Sequence, residues 1–393
     1  MKYDIIIAGA GLGGLSFLNT FMEGEFPDWR ILVIDQDRKD SNDRTWSFWT
    51  TSPPHLSCAG SLNWQHLGFA SDNFQRYDQI APYRYYTIRG IDFYNEVLSK
   101  ARAHANIHFV QDEILAITQR NNEVRVRTRQ SVHEADHVID SITRPKNISD
   151  YLCNSQNFLG WEIKVPRPTF EVTKPLLMDF RVAQSEAPSF VYVLPYSETE
   201  ALVEYTQFSK TREFDQKQYA VELQSYIQKV MGLEHYDTYH EEQGAIPMTN
   251  YPFTRRLGRV FRIGTVGGDT KPTTGYTFMN VQKHAIEILD ILSGKEVKVA
   301  SRPRFRFYDN LLLEIIAHAP QAVKPIMTRL FQSQPMHRVL KFLHEDSNLA
   351  EEIGIFAQLP WAPFLKALKD QTYAIFTEND RADAHSSREL VAR

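Results

Sequence analysis

Six residues near the start of the chain, Gly9-Ala10-Gly11-Leu12-Gly13-Gly14, carry the spacing G-x-G-x-x-G at Gly9, Gly11 and Gly14. Each glycine has its own physical use. Gly9 permits a tight turn, Gly11 lets a pyrophosphate reach the backbone, and Gly14 lets a helix pack close to a strand. The free N–H groups that open the next helix then face the phosphates. Asp35 lies roughly 20 residues past the last glycine, where a carboxylate accepts hydrogen bonds from ribose hydroxyls. A second glycine-rich stretch lies far downstream, Phe261-Arg262-Ile263-Gly264-Thr265-Val266-Gly267-Gly268-Asp269-Thr270-Lys271-Pro272-Thr273-Thr274-Gly275-Tyr276. It reads as a strand, a turn and a helix start, a second terminus suited to anions. Two such sites fit a flavin dinucleotide (FAD). The first would hold the pyrophosphate. Gly267, Pro272, Thr274, Gly275 and Tyr276 would face the ring system and its ribityl chain. A simple nicotinamide enzyme would instead continue with alternating strands and helices.

The elements around these turns have the required order. Tyr3 to Ala8 predicts a buried strand, Leu15 to Met22 a helix, and Arg30 to Asp35 a second strand, which is one βαβ crossover unit. Short strands are expected at Ile107–Val110 and Val124–Thr128, buried strands at His137–Asp140 and Arg259–Gly264, and helices at Ile91–Ala103 and Thr277–Leu292. Residues 41–80 have weak periodicity. The stretch from 160 to 210 is β-rich, with strands at Leu176–Phe180, Ser189–Leu194 and Ala201–Phe208. Tyr219–Met231 is helical and 310–370 mainly so. The expected fold is α/β: a Rossmann-like FAD-binding domain with a mixed β-sheet plus helical substrate domain. It resembles the glutathione-reductase-type flavoproteins, in particular their aromatic-hydroxylase branch. The cofactor domain is expected to be discontinuous, from 1–50, 80–145 and 245–300. The substrate domain takes 51–79, 146–244 and 301–376, and 377–393 forms a loose polar tail.

Composition bounds the function. The chain has 393 residues, 42 % hydrophobic and 23 % charged, which excludes a disordered polymer. Its net charge of −4 gives no basic excess for nucleic acid. Cys58 and Cys153 have no metal-ligand spacing and are too few for a disulfide scaffold. The N-terminal apolar run is too short for a signal peptide, and no stretch is long enough to span a bilayer. The chain is therefore expected to be cytoplasmic, soluble or monotopic. Aromatic residues make up 12 % and could line a large apolar pocket.

Several motifs narrow the reading. Asn42-Asp43-Arg44-Thr45-Trp46-Ser47-Phe48-Trp49 closely resembles the N-D-R-T-W-x-F-W signature of the lycopene cyclases. Pro82 to Tyr94 looks like that family's helix-opening segment. Ala201-Leu202-Val203-Glu204-Tyr205-Thr206 lines up with its F-L-E-E-T motif, and Lys271-Pro272-Thr273-Thr274-Gly275-Tyr276 with H/K-P-x-T-G-Y. Residues 336–368 are similar to the bacterial members. The motifs stand in the family's order over most of 1–370. One departure is clear. Tyr205 replaces the second acid of F-L-E-E-T, so any role of that acid is absent or moved.

The resemblance implies cyclisation of the linear ends of lycopene, through γ-carotene, to the β-ionone rings of β-carotene. It implies bound FAD that must be reduced, with NAD(P)H as the expected reductant, and no net redox change. It makes Glu204 the acid–base candidate, while leaving open that the flavin donates the proton. In an apolar pocket a carboxyl stays protonated and able to donate. Trp46, Phe48, Trp49, Tyr85, Tyr86 and Tyr276 could stabilise a cation through their ring faces. Arg44 is expected either at the flavin or in an ion pair with Asp35 or Asp37, and Asp269 could sit at the flavin. A membrane-bound substrate implies a peripheral membrane surface, with Leu311–Ala317, Ile326–Phe331 and Met336–Leu343 as candidate helices. Two alternatives stand beside this reading. One is a flavin monooxygenase or reductase, disfavoured by Ser141 where hydroxylases carry glycine. The other is a non-catalytic carotenoid-binding flavoprotein. Oligomeric state and substrate range are open.

Overall fold

The computed structural model describes residues 2–24, 29–53, 60–120, 122–145, 147–185, 187–297 and 302–370. The expected tail at 377–393 and Cys58 lie outside the described residues.

The first sheet is built on the apolar runs Ile5-Ile6-Ile7-Ala8 and Ile31-Leu32-Val33-Ile34, all buried. Continuous apolar runs of this kind suit strands covered on both faces. Lys2–Ala8 pairs in parallel with Val132–Asp140 on one side and Ile31–Asp35 on the other. Ile107–Gln111 extends the sheet beyond Ile31–Asp35, and Val260–Arg262 extends it beyond Val132–Asp140. Side chains alternate between faces. Ile5, Ile7, Ile31 and Val33 meet the helices Leu12–Glu23, Gly90–Arg102 and Phe278–Leu292. Ile6, Ala8, Leu32 and Ile34 meet the hairpin of Ile114–Arg120 and Glu123–Thr128.

The second sheet has seven strands in the order Asp237–Thr249, Cys153–Lys164, Glu200–Ser209, Ser189–Pro195, Leu176–Asp179, His66–Ser71, Phe74–Gln79. The last two come from the stretch whose periodicity was weak. One face packs against the helix Gln216–Lys229. The other packs against Pro303–His318, Val323–Ser333 and Met336–Leu343. A small third sheet, Thr45–Thr50 with Arg84–Arg89 and Leu62–Trp64, lies between the two cores.

The first helix starts at Leu12, earlier than the apolar pattern predicts, because Gly13 and Gly14 carry no side chain to show a period. Gly14 is required by a close approach. A Cβ there would lie 1.9 Å from the Gly9 carbonyl oxygen and 2.8 Å from Ile7 Cγ2. Gly14→Ala should therefore cost at least ~1–3 kcal/mol through overpacking. Gly11→Ala, whose Cβ would meet nothing within 4 Å, should cost less. Thermal unfolding of both variants checks this, and equal losses would contradict it.

Candidate active site

The fingerprint leaves its helix open to an anion. Gly11 caps the helix without a side-chain bond, and no acidic residue stands in the first turn. The first N–H groups of such a helix have no partner within it. The space over Gly11 is clear, so the backbone there is free to meet a pyrophosphate. Ser141 takes the place expected for glycine in hydroxylases. Its hydroxyl donates to the Ala8 carbonyl at 2.8 Å and blocks any side chain at Gly9. Asp35 accepts from the Ala10 N–H at 2.6 Å and from the Asp37 N–H at 2.8 Å. A carboxylate has about four acceptor positions, so capacity for a ribose remains. Arg44 pairs with neither Asp35 nor Asp37. It bonds Asp43 at 2.9 Å, and Asp43 also accepts from the Tyr94 hydroxyl at 2.7 Å.

The second glycine segment has the expected strand, turn and helix start. Val260–Arg262 leads into a 3₁₀ turn at Gly264–Gly267, and the helix runs Phe278–Leu292. The intervening loop carries Pro272, Thr274, Gly275 and Tyr276. Lys271 pins it, donating to Asp309 at 3.0 Å and to Glu345 at 2.7 Å, while Thr273 donates to Asp309 at 2.6 Å. Asp269 is fully engaged with the protein. It accepts from the Gly264 N–H at 2.7 Å and contacts His284 at 2.9 Å and Arg255 at 3.2 Å. A cavity of about 610 Å³ opens here, and Gly267, Pro272, Tyr276, Trp49 and Phe278 are among its walls. Buried polar atoms without partners cluster beside this loop: Thr274 Oγ1, Gln156 Oε1 and Tyr85 Oη. Open N–H groups at one glycine turn and partnerless acceptors at the other fit a dinucleotide with a polar chain between phosphate and ring.

Glu204 sits on the strand Glu200–Ser209. Alternation turns Leu202, Glu204 and Phe208 toward the helical core and Val203 and Tyr205 toward the other face. The position of the missing second acid therefore faces away from the site. Tyr205 packs there against Tyr219, ring centroids 5.0 Å apart. A different acid takes its place. Glu242, on Asp237–Thr249, and Glu204 both lie opposite Gly160 of the strand between them. A Cβ at Gly160 would lie 3.2 Å from Glu242 Cγ and 3.4 Å from Glu204 Cβ. Glycine thus leaves a gap across which the two carboxyls face each other. Thr206 donates to Glu204 at 3.1 Å and Thr45 donates to Glu242 at 2.8 Å. Burial, then the charge of Glu242, pushes the Glu204 pKa well above the usual carboxyl range. Burial pushes Glu242 up to about 7, helped by Glu162 and opposed by the Thr45 hydrogen bond. The hydroxyl of Thr45 and the guanidinium of Arg44 favour charge on Glu242, which makes Glu204 the member of the pair placed to carry a proton.

The aromatic candidates divide. Trp49 and Tyr276 meet edge to face at 4.2 Å, and Tyr85 and Tyr192 lie within electrostatic reach of both Glu204 and the Tyr276 hydroxyl. Trp46, Phe48 and Tyr86 pack on the cofactor side with Phe93 and Phe278. Glu242, Gly160 and Tyr192 escape the sequence reading. Only the strand register brings them to Glu204, and no local motif marks them.

A profile of the family described as lycopene cyclase protein matches residues 4–369. Two relatives named lycopene beta-cyclase are similar to this chain. That of Pantoea ananas is 27 % identical over 388 residues, covering 93 % of this chain and 97 % of its own. That of Paracoccus sp. is 27 % identical over 305 residues, covering 75 % and 74 %. Among solved structures, halogenase PltM in complex with phloroglucinol and FAD has a TM-score of 0.55 at 13 % identity, covering 87 % of this chain and 82 % of that one. A geranylgeranyl bacteriochlorophyll reductase-like protein from Thermoplasma acidophilum has a TM-score of 0.54 at 12 % identity, covering 97 % and 99 %. At such identities the likeness is one of fold. The match over nearly the whole length, with the motifs in order, means that this chain belongs to the lycopene cyclase family.

Proposed function

We propose that the chain is a lycopene β-cyclase. It closes the linear ends of lycopene, through γ-carotene, into the β-ionone rings of β-carotene. The observation that carries the reading is a carboxyl pair on one sheet face: Glu204, half-buried near Tyr85 and Tyr192, lies across Gly160 from the buried Glu242, and burial and the Glu242 charge push the Glu204 pKa up. The names of the curated relatives support the substrate, and the FAD in a structure of the same fold supports the cofactor.

Residues 9–14 would hold the pyrophosphate of FAD, Asp35 its ribose, and the loop of Gly267, Pro272, Thr274, Gly275 and Tyr276 its ring end. Arg44 lies on the cofactor side as a further contact. When bound in its reduced, anionic form, the cofactor supplies negative charge beside a cation with no net redox change, and NAD(P)H is the proposed reductant. The chain's own residues do the rest. Glu204 gives its proton to the terminal double bond, and a tertiary cation forms. The neighbouring double bond attacks it, a six-membered ring closes, and the proton lost from a ring carbon returns to the carboxylate. The faces of Trp49, Tyr85, Tyr192 and Tyr276 stabilise positive charge, and the apolar walls keep out water that would quench it.

The substrate dissolves only in lipid, so we propose peripheral membrane association. No helix among the described residues is long and apolar enough to cross a membrane. The three candidate helices turn their apolar faces inward: Leu313, Ile326, Leu330, Met336, Val339 and Leu340 are all buried in the core. A different pair of helices presents apolar residues to solvent. Leu349 and Ile353 on Leu349–Phe356 are 61 % and 68 % exposed. Trp361 and Leu365 on helix 361–370 are 61 % and 57 % exposed. Phe356 and Phe364 join the two helices, rings 6.1 Å apart. Exposed Lys366 and Lys369 beside Leu365 complement anionic headgroups.

Glu204→Gln should retain FAD and lower β-carotene formation ~10²–10⁴-fold, the usual scale for a general acid. Anaerobic incubation of the flavin-reduced protein with lycopene in liposomes, followed by pigment analysis, measures it. Undiminished conversion would refute Glu204 as the acid. Ile353→Glu with Trp361→Glu should weaken binding to anionic vesicles at least tenfold, since each buried side chain contributes roughly 1.5–3 kcal/mol. Co-sedimentation checks this, and unchanged binding would refute the surface.

A further inference from the structure

The carboxyl pair contains more than an acid and its neighbour. Glu204 and Glu242 belong to different strands, and the strand between them contributes Gly160 at the shared register position. A Cβ there would crowd Glu242 Cγ at 3.2 Å and Leu202 Cδ1 at 3.1 Å and touch Glu204 Cβ at 3.4 Å, standing between the two acids. Glu242 is held from its far side by the Thr45 hydroxyl at 2.8 Å. We propose that Glu242 is a positioning residue for the reaction: as a carboxylate it accepts the hydrogen bond of the Glu204 carboxyl across the gap at Gly160, and so keeps one proton on Glu204 before each cyclisation. The inference rests on Glu204 being the acid.

The proton balance is closed. Before the reaction the pair carries one proton and one negative charge. When Glu204 protonates the terminal alkene carbon, a C–H bond forms and both carboxyls are ionised beside the tertiary cation. Ring closure follows. The C–H bond at a ring carbon then breaks, and its proton returns to the doubly charged pair, which takes it more strongly than a lone carboxylate would. Proton count and oxidation state are unchanged.

The groups facing the pair account for the asymmetry. Glu204 faces Tyr85 and Tyr192 besides Glu242, and Thr206 donates to it. Glu242 faces Glu162 from the central strand, Thr45 from the small sheet and Arg44 from the residue just before it. The hydroxyl of Thr45 and the guanidinium of Arg44 favour charge on Glu242, which leaves the proton with Glu204.

The test is the pH dependence of cyclisation by the flavin-reduced holoenzyme in liposomes. A general acid with a raised pKa is active below that pKa and loses activity as pH rises through it. Removing the charge of Glu242 removes one cause of the rise. Glu242→Gln should therefore move the alkaline limb of the rate profile down by about one pH unit or more, the usual scale for a close charge, with FAD retained. A limb that stays in place, whether or not the rate falls equally at all pH, would overturn the proposal. Gly160→Ala provides the second arm and keeps both acids. Separating the carboxyls should shift the limb in the same direction, and this variant decides the matter if Glu242→Gln fails to retain FAD. Glu242→Asp, with charge kept on a shorter arm, should restore part of the shift. Failure of the underlying reading is distinct: it shows as full activity in Glu204→Gln, regardless of Glu242.

Discussion

Two carboxyls side by side in a low-dielectric interior resist ionising together unless a positive charge stands beside them, and the second sheet is arranged around that constraint. Glu204 and Glu242 approach from opposite neighbours of one strand, and glycine at position 160 leaves the space between them open, where a Cβ would crowd Glu242 Cγ at 3.2 Å. Desolvation alone would leave either one neutral. The hydroxyl of Thr45 and the guanidinium of Arg44, both favouring charge on Glu242, break the tie. A neutral carboxylic acid in an apolar chamber is a poor acid by aqueous standards. It becomes useful only where the cation it creates is met by negative charge and by π faces. The carboxyl pair, the aromatic walls and the glycine turns are parts of one electrostatic requirement.

The small third sheet joins the two halves of that requirement. Its strands alternate between two cores. Trp46 and Phe48 face the helices that cover the nucleotide turn, and their neighbour Trp49 faces the other core. Tyr86 and Tyr85 divide in the same way, since Phe48 lies opposite Tyr86 and Trp49 opposite Tyr85. The same strand begins at Thr45, which holds Glu242, and reaches Trp49, whose indole N–H donates to the Leu340 carbonyl at 3.1 Å. One six-residue element thereby touches the nucleotide side, the acid pair and the helical layer.

What the sequence made legible follows from this geometry. The fingerprint is a local pattern, so Gly9, Gly11 and Gly14 could be assigned uses from spacing alone. Glu204 was visible through its motif. Glu242 was not, because its relation to Glu204 is a pairing register across an intervening strand, and a register leaves no mark in a single sequence. The aromatic signature was legible as a cluster but not as two groups, since a reader of the string does not know that both faces of the strand are buried. The amphipathic helices gave a similar error. An apolar stripe shows that a face is covered without saying by what, and the three stripes nominated for lipid cover the protein's own core. At the Gly-Asp pair Gly268-Asp269, the acid anchors the turn from within, a role that spacing alone does not reveal.

The order of the strands has a consequence for biosynthesis. Val260–Arg262 completes the side of the first sheet that Lys2–Ala8 and Val132–Asp140 begin, yet all but two strands of the second sheet are encoded between them. A growing polypeptide therefore carries the end of the latter strand, Val138–Asp140, without its neighbour until Val260–Arg262 is made. Such unpaired edges attract other nascent chains. Yield in a foreign host should depend on chaperone supply and translation speed more than on the strength of the finished fold.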